Sequence, residues 1–156
     1  MQHVEVAREA VALVKPSIEK LFTRTKRREL HIVIMDPRLK PWECDFHDAI
    51  LYQETIRNTD PWESPYDELA LKKAEQAWRE RQANVVLQTS HPSSLRTDDI
   101  HFYGSFVYGN VVVACSGVEE WFDMLISGWI ALAFEQLAVH EHQACLLYTS
   151  PSPRDS

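Results

Sequence analysis

HFYGSFVYGNVVVACSG, residues 101–117, is the stretch whose reading decides the fold. Gly109-Asn110 separates two runs rich in Val, Phe and Tyr, and a two-residue connection of this kind joins antiparallel strands. The turn pairs Val107 with Val112, Phe106 with Val113, and Gly104 with Cys115. Successive side chains on a strand point to opposite faces, and here both faces are apolar. Such a hairpin needs cover on both sides, so it is expected near the middle of a sheet with flanking helices. Ser116-Gly117 then breaks the second strand. Glu119 and Glu120 place negative charge at the positive end of a following helix, expected to run to about Val139.

Upstream, Val4, Ala7, Val11, Val14, Ile18 and Leu21 recur at spacings of three and four, with Ala10 and Phe22 widening the stripe, so residues 3–22 read as one amphipathic helix. Pro16 is expected to kink that helix or to end its first part near Lys15. TRTKRRE is a solvated basic turn. LHIVIMD is a strand ending at Asp36-Pro37, and DPRLKPWECDFHD is a loop. AILYQETI fits strand or helix; the alternation of Ile50, Tyr52 and Glu54 with Leu51, Gln53 and Thr55 favours strand. After the loop RNTDPWE, the segment SPYDELALKKAEQAWRERQ is a helix with Ser64 as N-cap, Pro65 in its first turn and Asp67 reaching back. Its inner face is Leu69, Lys72 or Lys73, Ala74, Ala77 and Trp78. VVLQ reads as a short strand, and TSHPSSLRTDD as a polar loop. The fold class is α/β (α+β): a single domain with an antiparallel sheet flanked by helices.

The last twelve residues, CLLYTSPSPRDS, break with this pattern, and Cys145 to Asp155 resembles the translation of a sequencing-library adapter. The domain is therefore expected to span residues 1–144, with 145–156 a non-native tail. The tail holds one Arg and one Asp, so the formal charge of −7 belongs to the domain. An acidic surface argues against nucleic acid or anionic membrane as partner, since both require a basic footprint. A small molecule, or further copies of the chain as a homo-oligomer, fits better. Cys44 and Cys115 have no CxxC spacing and the start lacks a signal-peptide pattern, so a reducing cytoplasm is expected. MLISGWIALAF is eleven uncharged residues, where a bilayer span needs about 20; it reads as a buried or interface helix.

Several constellations could carry chemistry. Cys44, Asp45, His47 and Asp48 lie within five residues, but no second ligand pair follows, so no metal site is expected. Cys115 and His101 fall on opposite faces of the hairpin, which disfavours a nucleophile–base dyad, and Ser116 lacks a GxSxG elbow. Asp36, Glu119 and Asp123 are the candidate acids or bases. Trp42, Trp62 and Tyr66 flank the irregular 37–65 segment, and Trp121 and Trp129 lie on the last helix, where they can line a pocket or anchor a loop and an interface.

GSFVYGNVVVACSGVEEWFDMLISGWIA resembles the closing hairpin and helix of the GlcG/HbpS family. DELALKKAEQAW, residues 67–78, is similar to that family's central helix, and LHIVIMD to its first strand. The resemblance covers roughly residues 3–138. It implies a profilin-like fold, oligomeric assembly, and binding of a small molecule such as haem or a related tetrapyrrole. His47 and His101 are then the candidate axial ligands, with Trp42 and Tyr103 beside them. The alternatives are an enzyme acting on a small hydroxy-acid-like metabolite and a purely structural oligomerisation domain. The sequence departs from the family where PRLKPWECDFHD replaces a short Gly-rich hairpin and where HFYGSF replaces a Gly-Gly-Pro-like approach to the last hairpin.

Overall fold

The structure, a computed structural model, describes residues 2–57 and 64–149, with side chains through residue 146. Helix α1 (His3–Leu21) leads to strand β1 (Leu30–Met35), and a short 3-10 turn (Phe46–Ala49) precedes β2 (Ile50–Ile56). Helices α2 (Tyr66–Glu80) and α3 (Asn84–Ser90) follow, then β3 (Ser105–Tyr108), β4 (Val111–Ser116) and α4 (Glu120–Thr149). The four strands form one antiparallel sheet in the order β2-β1-β4-β3.

The two central strands are buried along their whole length, and alternation divides their side chains between two cores. Leu30, Ile32, Ile34, Val111, Val113 and Cys115 face α1 and α4, meeting Val11, Ile18, Phe22, Ile126, Ile130 and Phe134. Val33, Met35, Val112 and Ala114 face α2, meeting Ala70, Ala74, Ala77 and Trp78. Each large aliphatic side chain so buried contributes roughly 1.5–3 kcal/mol.

The hairpin register is as the sequence implies: Val107 faces Val112 and Phe106 faces Val113, with Gly109 at φ 59 in the turn. Its place in the sheet is not. β4 is central, but β3 is an edge strand, because the chain reaches it from α3 and no strand pairs beyond it among the described residues. VVLQ is not a strand either; it lies in α3, where Asn84 and Leu87 are buried one turn apart. Ser64 does not cap α2: the N-cap is Pro65 without a side-chain hydrogen bond, and Ala70, rather than the half-buried Leu69, joins the inner face. Pro16 does not end α1. It sits on the exposed face, and Ala12, whose carbonyl loses its N–H partner, is an exposed residue as well. The loop residues 58–63, including Trp62, lie outside the described residues.

Helix α4 extends beyond Val139 to Thr149, into the adapter-like stretch. Glu120–Leu146 is long and apolar enough to cross a membrane by length and composition. Within the protein its Ile126, Ile130, Ala131 and Phe134 pack into the core against the sheet and α1.

Candidate functional site

Four segments meet at the end of the sheet where β4 stops: the loop after α1, the first half of α2, the approach to β3, and the turn from β4 into α4. They enclose a cleft of about 350 Å³, with Lys73, Ser116 and Asp123 at its base and Phe102, Glu119, Glu120 and Trp121 at its rim. Lys73 follows Tyr66 and Ala70 on the buried stripe of α2, so helix geometry turns it inward among apolar neighbours. Its ammonium group donates to Asp123 Oδ2 at 3.1 Å, the Cys115 carbonyl at 3.1 Å and Ser116 Oγ at 3.3 Å. An ammonium has three N–H groups, so all three have acceptors. Asp123 Oδ1 accepts from the Val118 N–H at 3.2 Å.

This ion pair is buried, with side-chain exposures of 3% and 1%. Burial pushes the Asp123 carboxyl up to about 7, and the Lys73 charge pulls against that rise. Gly104 makes room for the pair. A Cβ there would lie 2.9 Å from both Lys73 Nζ and Asp123 Cβ, and 2.6 Å from the Cys115 carbonyl oxygen. The Gly104 carbonyl accepts from Ser127 Oγ at 2.6 Å, which fixes this segment to α4.

The walls are held by further polar contacts. Arg27 donates through Nε to the Gly117 carbonyl at 2.8 Å and lies over the Tyr66 ring at 5.5 Å. Glu119 Oε1 accepts from the Lys26 N–H, and Glu120 Oε2 from the Tyr103 N–H, each at 3.2 Å. Side-chain amides fasten the approach to β3: the buried Gln76 donates through Nε2 to the Ile100 carbonyl, the half-buried Gln88 through Nε2 to the Phe102 carbonyl, and the buried Asn84 accepts at Oδ1 from the Ser105 N–H.

The residues singled out in the sequence divide between the two ends of the sheet. Asp123 and Glu119 line the cleft, Tyr103 borders it through its N–H, and His101 is exposed beside Phe102. Asp36, His47 and Trp42 lie beyond the opposite end, where the Asp36 N–H bonds to the Ala49 carbonyl. Burial pushes the Asp36 carboxyl up, but the Arg38 guanidinium, at 3.0 and 2.8 Å, and the Arg38 N–H hold it below the usual carboxylate range. His47 and His101 thus leave opposite ends of the sheet and are not brought together. Cys115 is buried in the core, and burial pushes its thiol far up, away from nucleophile chemistry. No group of three or more His, Cys, Asp or Glu close enough to hold a metal ion occurs among the described residues.

Lys73 and Arg27 carry the site without having been named as functional. Lys73 left a signal: a lysine on an otherwise apolar helix stripe requires a buried carboxylate opposite it. Arg27 left none, because a basic turn between helix and strand is ordinarily solvated.

No family model matches the sequence, and a search of curated proteins finds no significant match. Among solved structures, the crystal structure of the Klebsiella pneumoniae protein ORFY, of the family model DUF336, is similar to this chain with a TM-score of 0.60 and 14% sequence identity. The similarity covers 86% of this chain and 90% of that one. DUF336 is the GlcG/HbpS-like family, so the family that the closing hairpin and helix resemble supplies a solved structure with this chain's α+β fold.

Proposed function

We propose that the protein is a small-molecule-binding protein of GlcG/HbpS type whose ligand sits in the cleft over Lys73 and Asp123. The observation that carries this reading is the buried ion pair at the base of an open cleft. Two charges removed from water cost several kcal/mol unless fully paired, and here they are placed at the base of a cleft that combines charged, hydroxyl and aromatic lining. Leu69→Trp, which fills the cleft from α2, tests it. Small metabolites that raise the melting temperature of the wild type should leave this variant unchanged; equal shifts in both would discard the cleft as the site.

A tetrapyrrole does not suit this cleft. Its lining has no His, Cys or Met, its one tyrosine, Tyr66, is buried beneath the Arg27 guanidinium, and its carboxylates face a ligand that is itself anionic. Haemin titration into wild type, His47→Ala and His101→Ala measures this directly, with no Soret shift above background as the expected result. A catalytic reading is favoured by one feature: Asp123, pushed up to about 7, lies where a bound ligand would meet it. Turnover in a substrate panel that is lost in Asp123→Asn supports catalysis, and inactivity across the panel counts against it. Assembly into a homo-oligomer is supported by Leu125, Leu132 and Val139, which are exposed along one side of α4.

A further inference from the structure

We infer that the cleft selects an organic monocation, an amine or quaternary ammonium compound carrying a flat apolar group. This rests on the cleft being the ligand site and adds the chemical class of what it takes. The Lys73 donors are already used: its three N–H groups have acceptors in Asp123, Cys115 and Ser116. Arg27 points Nε at the Gly117 carbonyl and Nη2 at the Val118 carbonyl, at 2.8 and 3.4 Å, with its guanidinium over Tyr66. An anionic ligand would have to displace the Lys73 contacts, and the Arg27 N–H groups left over lie in a lining that also holds Glu119 and Glu120.

The rim presents the opposite character. Glu119 and Glu120 each accept one backbone N–H through one oxygen, which leaves the other oxygen to face a ligand. Trp121 and Phe102, 59% and 56% exposed, are two large aromatic side chains lining the same cavity. Ring faces attract cations and carboxylates neutralise them, and the two together make an ammonium site in which an apolar substituent also gains cover. The amides of Gln76 and Gln88 hold the backbone on either side of Phe102, so the aromatic wall is in place before a ligand arrives.

Benzylammonium and benzoate share shape and differ in charge, and calorimetric titration of each into the full chain tests the inference. Benzylammonium should bind and benzoate should not. Glu119→Gln with Glu120→Gln should weaken benzylammonium about tenfold, and Trp121→Leu by a similar factor, from the loss of a charge-assisted contact and a ring face. Circular dichroism and melting of the variants confirm that they remain folded. Benzoate binding more tightly overturns the cation assignment while leaving the cleft as the site. Benzylammonium binding that is unchanged in both variants but lost in Leu69→Trp also overturns it. Absence of binding by either probe overturns the cation assignment, and the metabolite shifts abolished by Leu69→Trp then decide separately whether the cleft stands.

Discussion

At the scale of the residue, Lys73 and Asp123 bear most directly on how firmly the protein is built. Removing one partner leaves the other charge buried alone, so Lys73→Met is expected to destabilise the protein by about 3–5 kcal/mol in denaturant unfolding. The double change Lys73→Met with Asp123→Leu, which removes both charges, should recover most of that loss. The pH dependence follows from the raised Asp123 carboxyl. A carboxyl whose folded value lies near 7, above its ordinary 3.8, binds more protons folded than unfolded between those values. Its contribution is therefore complete below about pH 4 and is lost as pH rises through about 7. Melting temperatures across that window should fall more steeply with pH in the wild type than in Asp123→Asn, which lacks the titrating group. Asp123 was legible as a candidate acid from its place in the first turn of a helix. Its partner was half legible, as one of two lysines on the inner face, because periodicity cannot resolve adjacent positions at the edge of a stripe.

At the scale of the element, helices and strands that carry their own hydrophobic period were read correctly, and those that depend on neighbours were not. α1, β1, α2, the β3–β4 hairpin and the start of α4 each show a pattern of three-and-four or of two over enough residues to declare themselves. VVLQ has only four residues to judge, and β-branched content suggested strand; in the fold it becomes α3, since its buried positions, Asn84 and Leu87, lie three apart. Asn84 there anchors β3 by exchanging hydrogen bonds with Ser105, at 2.9 Å from its N–H and 3.0 Å to its Oδ1. Pro16 shows the converse, a local preference overridden by packing: Val14 and Ile18 are buried on either side of it and hold α1 continuous. Replacing it restores a helix N–H at the cost of a freer unfolded chain, so Pro16→Ala is expected to raise stability by about 1–3 kcal/mol in thermal or denaturant unfolding.

At the scale of the whole molecule, a four-stranded sheet between α1 and α4 on one side and α2 on the other leaves one long helix with an apolar outer side. Leu125, Leu132 and Val139 stand seven residues apart, between 41% and 44% exposed. A stripe with this spacing suits packing against another helix. Leu132→Glu places a charge on it without touching the core, and light scattering should report a smaller particle for this variant than for the wild type with an unchanged melting profile. By itself the sequence determined the elements with strong periods, the hairpin register, the acidic surface and the presence of a carboxylate at the head of α4, because these depend on neighbours within a few residues of one another. Only the tertiary structure decided the strand order, the edge position of β3 and the separation of Asp36 and His47 from the cleft. It alone placed Arg27, Lys73, Ser116 and Asp123 at one point, through a gap that Gly104 leaves open. Those contacts join segments up to about ninety residues apart, and nothing in a local pattern encodes which distant segments will meet; closure of the two cores against the sheet does.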